Sequence, residues 1–286
     1  MQLWKLTLAY DGTNFHGWQV QPRLRTVQGA LAAVLAELTG EQVLPQGSGR
    51  TDTGVHALGQ VASFSLNAPI PPQNLLHALN RALPAYIRVL TAEHAAPGFH
   101  ARHSAVGKTY EYRIFERRSP ETIRVDGRAA ERICSPMLAP FVWDCPFRLD
   151  FVHAQQAASK LCGEHDFTSF AAVDPDLAER TSPTERSSVR TMLASEWRRE
   201  GELLIYRVTG NGFLHHMVRN FVGTLVEIAR VRLAPADMEQ ILVARDRAAA
   251  GPTAPACGLF LMNVDYPVFD DEAAGQAKSA TSEAMA

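Results

Sequence analysis

Leu3-Trp4-Lys5-Leu6-Thr7-Leu8-Ala9-Tyr10 alternates large apolar side chains with polar or small ones. Trp4, Leu6, Leu8 and Tyr10 fall on one face and Lys5 and Thr7 on the other, the two-residue period of a strand with one buried face. Downstream, Thr26 stands as an N-cap before a helix reaching about Leu38, with the apolar stripe Val27, Leu31, Val34, Leu35 and Leu38. A short strand is expected at 42–44, then a glycine-rich loop from Gly47 to Gly59, then a second alternating run over 60–66. Pro71 opens a helix that Pro84 stops, and 86–90 is rich in strand formers. The order is β-α-β-β-α-β.

Residues 106–267 give a similar succession. Over 108–115 a strand places Tyr110, Tyr112 and Ile114 on one face, and 153–161 reads as a helix. Two β-rich runs, 189–197 and 203–209, are joined by a polar turn over 198–202, a hairpin signal. A helix over 215–229 turns Met217, Val218, Phe221, Val222, Leu225 and Ile228 inward, a further helix spans 236–244, and a last strand spans 259–264. No sequence repeat accompanies this second β-α-β-β-α-β order, so the likeness is topological. The pattern predicts the α+β class with two ferredoxin-like halves, 1–105 and 106–267. The stretches 117–150 and 171–188 read as additions, and 268–286 as a small-residue, acidic, disordered tail.

The 286 residues suit about two domains. No run approaches the ~20 apolar residues of a membrane helix, and the N-terminus shows no export signal, so no membrane association is expected. Cys134, Cys145, Cys162 and Cys257 form no CxxC pair, which fits a reducing cytoplasm. A net charge of −2 by itself argues against a protein that coats nucleic acid indiscriminately. Locally, however, Arg102, Lys108, Arg113, Arg117 and Arg118 outnumber Glu111 and Glu116, enough to bind phosphates.

The loop Gly47-Ser48-Gly49-Arg50-Thr51-Asp52-Thr53-Gly54-Val55-His56-Ala57 holds the most telling chemistry. Its glycines permit sharp bends and bracket one arginine and one aspartate, while the Walker lysine and the GxGxxG order are missing. Asp52 there suits either an Asx turn or a working carboxylate. Asp52, His56 and the pair His215-His216 could ligate a metal, but neighbouring histidines on a helix point to different sides, and no metal is expected. Tyr110 and Tyr112 suit either core packing or a base-stacking platform, and their basic neighbours favour the second. Arg219, beside an apolar stripe, is either a snorkelling side chain or a half-buried cation in need of a carboxylate.

Taken together, Tyr10-Asp11-Gly12-Thr13, Phe15, Gly17-Trp18-Gln19 and Thr26-Val27-Gln28 resemble the N-terminus of the tRNA pseudouridine synthases of the TruA type. In the same order as in that family come Gly49-Arg50-Thr51-Asp52, Phe99-His100-Ala101-Arg102, Lys108-x-Tyr110-x-Tyr112, Asp166-Phe167-Thr168-Ser169-Phe170, Gly212-Phe213-Leu214-x-His216-Met217-Val218-Arg219 and Ala254-Pro255-x-x-Gly258-Leu259. The likeness covers about 3–266. Thr53 stands where the family more often has alanine.

What the resemblance implies is two ferredoxin-like halves with joined sheets and a cleft between them. It also implies cofactor-free and metal-free isomerisation of uridine to pseudouridine at positions 38–40 of the tRNA anticodon stem-loop. Asp52 maps onto the catalytic aspartate, Tyr110 onto the active-site tyrosine and Arg219 onto the arginine that pairs with the aspartate. Arg50, Tyr110, Arg102, Lys108 and His56 fall to the RNA, and a homodimer is implied. Two other classes compete: a non-catalytic tRNA-binding module or chaperone of the same fold, and a metal-dependent hydrolase using Asp52, His56, His215 and His216.

Overall fold

The computed structural model describes residues 1–118, 124–125, 128–129, 131–173 and 187–267. The tail 268–286, most of the loop 171–188 and part of 117–150 lie outside the described residues. In the first half come β1 (Gln2–Tyr10), α1 (Val27–Thr39), β2 (Gln46–Gly47), β3 (His56–Leu66), α2 (Pro72–Ala82) and β4 (Ile87–His94). The period-two reading of β1 holds, since Trp4, Leu6, Leu8 and Tyr10 are all buried. Thr26 caps α1 by accepting from the Gly29 N–H at 3.2 Å, and Gly40, at φ +74°, ends it in the left-handed region where glycine costs least. Antiparallel pairing gives the order β4-β1-β3-β2.

The strand expected at 42–44 is not one. These residues are irregular, Leu44 is exposed, and β2 is a two-residue strand just past Pro45. Proline offers no N–H to a ladder, and the Pro45 carbonyl is taken by the Gln28 side-chain amide at 2.9 Å.

The rest of the chain supplies β5 (Gly107–Glu116), β6 (Arg124–Val125), β7 (Arg128–Ala129), β8 (Trp143–Cys145), α3 (Phe151–Ser159), β9 (Gly163–Asp166), β10 (Val189–Glu200), β11 (Leu203–Gly210), α4 (Met217–Ala229), α5 (Asp237–Ala244) and β12 (Leu259–Asp265). Their order β12-β5-β11-β10 repeats the first set's sequence of fourth, first, third and second strand. β6 and β7 form a separate two-stranded ribbon, β9 adds to the outer edge beyond β10, and β8 runs parallel to the end of β5. The chain is thus α+β, with five described helices and one large mixed sheet.

The brevity of β2 is what allows the halves to join. It occupies β3 only at Ala62 and Ser63, leaving the first residues of that edge free. There β12 docks in parallel, pairing Phe260 with His56 and Leu261 with Ala57. The result is a ten-stranded sheet with one continuous buried cluster running through both halves, from Leu31 and Leu79 to Phe221 and Leu225.

At this seam a Cβ on Gly59 would lie 2.3 Å from the Met262 carbonyl oxygen of β12. Overpacking against backbone, which cannot swing aside, costs about 1–3 kcal/mol or more. Gly59→Ala should therefore lower stability by about 2 kcal/mol or more in urea unfolding. An unchanged midpoint would show that the seam is looser than described.

Candidate active site

The Asp52 loop is held from two sides. In front, the Trp18 N–H donates to the Thr51 carbonyl at 3.0 Å and the Gly54 N–H to that of Phe15 at 3.3 Å. The Val55 N–H reaches back to the Asp52 carbonyl at 3.1 Å, closing a turn whose third residue, Gly54, has φ +78°. That positive φ is the mark of a type II turn and explains the glycine. Behind the loop, fully buried Gln60 uses its whole amide. Its Oε1 accepts from Ser48 Oγ at 2.7 Å and the Val61 N–H at 3.1 Å, and its Nε2 donates to the Gly49 carbonyl at 2.9 Å and to Tyr10 Oη at 3.4 Å. Tyr10 Oη shares a 2.8 Å hydrogen bond with Thr51 Oγ1. Burial pushes this phenol up to about 12, although the Thr51 and Gln60 contacts pull the other way. Sequence reasoning missed Gln60; its one signal was a glutamine opening an otherwise apolar strand.

The Asp52 side chain faces α4. Arg219 Nη1 donates to Asp52 Oδ2 at 2.9 Å, and the two side chains are only 16% and 19% exposed. Arg219 Nε also donates to the Ala254 carbonyl at 2.8 Å, while the Ala254 N–H donates to the Arg219 carbonyl at 3.1 Å. Of the two readings of Arg219, the structure contains the cation paired with a carboxylate; for Asp52 it contains the outward carboxylate rather than an Asx turn.

His215 and His216 do not lie in the helix. Expected there from periodicity, they precede it, because α4 begins at Met217 and His216 adopts φ +58°, ψ +5°. That left-handed residue folds the two imidazoles together, with ring centroids 3.9 Å apart, instead of splaying them. His216 Nε2 lies 3.3 Å from Asp52 Oδ2, and His215 Nε2 lies 3.8 Å from Oδ1. Burial holds His216 below the usual histidine range; Asp52 opposes this, while His215, Arg219 and Arg247 reinforce it.

Tyr110 is buried, its ring edge-on to Phe213 at 4.9 Å. Burial, then the negative charge available to Tyr10 and Asp52, pushes its hydroxyl far up, so it remains protonated. Tyr112 is spent in the core, donating to the Pro255 carbonyl at 2.7 Å. Lys108, two residues before Tyr110, reaches under the loop and donates to the Ser48 carbonyl at 2.6 Å. A Cβ on Gly49 would sit 2.9 Å from its Nζ, so a side chain there would displace the ammonium. Burial, with Arg102 and Arg190 near, pushes the Lys108 ammonium down to about 8.

Other predicted residues lie elsewhere. His56 is buried and committed to the fold: its Nδ1 accepts from the Gly12 N–H at 3.1 Å, its Nε2 lies 3.1 Å from the Pro140 carbonyl, and it stacks on Phe260. Arg50 and Arg102 are exposed. The basic neighbours of the tyrosines are largely neutralised, Arg113 by Glu111 at 3.8 Å, Arg117 by Asp144 at 2.7 Å and Arg118 by Glu131 at 2.5 Å. Among the described residues no carboxylate lies within 4 Å of Lys108 Nζ.

The sequence pattern of the family described as tRNA pseudouridine synthase matches residues 7–104 and 157–267. The chain belongs to the tRNA pseudouridine synthase family. It is 47% identical to the tRNA pseudouridine synthase A of Solibacter usitatus over 262 residues, covering 92% of this chain and 98% of that protein. The proteins of the same name from Moorella thermoacetica and Bacillus subtilis are 44% and 39% identical, at the same two coverages. The matched stretches of the tRNA pseudouridine synthase pattern contain Asp52 and Arg219; Lys108 and Tyr110 fall between them.

A lysine whose ammonium is depressed by its site destabilises the fold wherever the unfolded chain would hold the proton more tightly. That penalty is complete below about pH 8 and is relieved as pH rises from there towards the ordinary lysine value. Lys108→Met should therefore raise the thermal midpoint at pH 7, by a margin that shrinks above pH 8 in calorimetric scans. A lowered midpoint at pH 7 would mean that the Ser48 hydrogen bond outweighs the buried charge.

Proposed function

We propose that this chain isomerises uridine to pseudouridine in tRNA, at positions 38–40 of the anticodon stem-loop, with Asp52 as nucleophile or base. The observation that carries the reading is the half-buried ion pair of Asp52 with Arg219 beside the buried Tyr110 ring. The reaction breaks the bond from C1′ to uracil N1 and forms one from C1′ to C5; the C5 proton leaves and N1 regains one. Nothing is oxidised, and no group is carried in or out, so the chain's own side chains suffice.

Cleavage of the glycosidic bond builds positive charge on the sugar, and an ionised carboxylate stabilises it, attacks C1′ or removes a proton from C2′. Arg219 supplies the opposite charge that a half-buried carboxylate requires and fixes its direction. Tyr110 offers the freed uracil a ring to stack on while it turns, and a protonated hydroxyl able to donate. Arg50 would hold the flipped nucleotide out of the stem, against a flipping cost of a few kcal/mol. Arg102 and Lys108 would meet phosphates. His56, with both nitrogens engaged, is better assigned to packing. In this reading 1–105 brings the carboxylate and 106–267 the arginine and tyrosine, and the protein works as a cytoplasmic homodimer.

Asp52→Asn keeps the shape of the loop and removes the anion. Tritium release from 5-labelled uridine in tRNA should fall by at least roughly 10³-fold, the scale of losing a catalytic nucleophile, with tRNA affinity little changed. Activity near that of the parent would overturn the assignment. A parent protein that binds tRNA without releasing tritium would point instead to the binding-module class.

A further inference from the structure

We propose that Asp52, His215 and His216 form a binding site for a single divalent transition-metal ion such as zinc, and that the ion switches the enzyme off by occupying the working carboxylate. The inhibition, though not the site, rests on the function proposed above. One ligand atom from each residue lies within 4.8 Å of those of the other two. Ligands of a tetrahedral ion at about 2.1 Å stand roughly 3.4 Å apart; here His215 Nε2 lies 3.8 Å from Asp52 Oδ1, and His216 Nε2 lies 3.3 Å from Oδ2. Coordination through Oδ1 therefore requires a side-chain adjustment that draws His216 from Oδ2 towards Oδ1.

The donor chemistry also fits. Two imidazole nitrogens and one carboxylate oxygen are a common three-ligand set for zinc, with a fourth position left open. His215 Nδ1 lies 2.8 Å from the Val173 carbonyl, which only accepts, so a proton sits on Nδ1 and Nε2, the atom facing Asp52, is the nitrogen left for a metal. An outer carbonyl that fixes the tautomer in this way is what metal-binding histidines usually have. His216 reaches the same place because its backbone is left-handed, a conformation uncommon outside glycine though histidine, like asparagine and aspartate, adopts it more often than most residues.

Arg219 sets the limit on affinity. It bonds Asp52 Oδ2, so the ion is left with Oδ1, the oxygen nearer His215, and meets a guanidinium on the far side of the same carboxylate. The expected affinity is therefore moderate, suiting an ion that comes and goes rather than a permanent cofactor. All three side chains keep some exposure, which provides an entry path and an open position for water. While the ion is bound, Asp52 cannot approach a sugar, and the substrate and the metal exclude each other.

Cobalt(II) reports the site without relying on catalysis, because tetrahedral coordination gives intense visible bands. Titration of the full-length, metal-free protein should produce them with one ion per chain. His215→Ala and His216→Asn, the latter tolerant of left-handed backbone, should each weaken cobalt binding at least about tenfold. Zinc should inhibit tritium release in competition with tRNA, a chelator should restore it, and both variants should resist the inhibition. Absence of bands at millimolar cobalt, or equal binding by parent and variants, would overturn the site. Cobalt bound through these residues in a protein without isomerase activity would uphold the site and strike down the function. Isomerase activity indifferent to zinc would overturn the switch.

Discussion

Asp52 and Arg219 stand 167 residues apart in the chain, and the 2.9 Å contact between them depends on nearly everything else in the molecule. Two partly desolvated charges of opposite sign must each find the other, since removing one strands its partner in a poor solvent. For that to happen the β3 edge must be left open by a short β2, and β12 must dock on it. The segment before β12 must then lie on α4. Gly223 allows this last approach: a Cβ there would come within van der Waals collision of the Pro252 carbonyl, and the adjoining Ala254 exchanges hydrogen bonds with Arg219 at both its carbonyl and its N–H. Helix, strap, strand and loop are thereby fixed relative to one another around a single ion pair.

Where neighbouring residues in sequence are also neighbours in space, the sequence was legible. The alternation of β1, the cap of α1 and its stripe as far as Leu35, the run of β5 and the hairpin of β10 and β11 all appear within a few residues of the expected places, while Leu38, the last residue expected in that stripe, is exposed. The failures share another cause. At 42–44 the residues suit a strand, but the next one is Pro45, and a side-chain amide from α1 has taken its carbonyl. At 215–216 the helical pattern runs on in the letters, while the backbone has turned left-handed, and no periodicity reports a single φ angle. Gln60 was invisible for a third reason. A buried glutamine is tolerable only if all its hydrogen-bonding positions are satisfied, and its partners, Ser48 and Gly49 of the loop and Tyr10 of β1, come from two places in the chain far from it in sequence.

Charge was the least legible property. The run of basic residues around the tyrosines reads as a phosphate-binding surface, yet most of it is consumed internally. Glu111 and Glu116 are buried beneath the sheet's arginines: Arg198 and Arg207 engage Glu111, and Arg199 engages Glu116. Two buried carboxylates on one strand demand such partners, so these arginines are part of the fold before they are part of any surface. Lys108 differs because its only polar partner among the described residues is a carbonyl. Its ammonium is the one cation of this run that is pushed down by burial instead of being held by a carboxylate.

The direction of each titration around Asp52 follows from that same poverty of solvent. Burial drives the phenols of Tyr10 and Tyr110 up and keeps both protonated; it drives the His216 imidazole and the Lys108 ammonium down, towards their neutral forms. The environment opposes charge of either sign, and the Asp52 carboxylate has a guanidinium bonded to one of its oxygens. An active site built this way contains one compensated anion beside phenols held protonated and an imidazole biased towards its neutral form, with Lys108 still mostly protonated below about pH 8. In the function proposed above, a sugar developing positive charge meets that carboxylate, and a loosened uracil meets a ring and a protonated hydroxyl. A phenol held protonated in this way is suited to donating a proton rather than to accepting one.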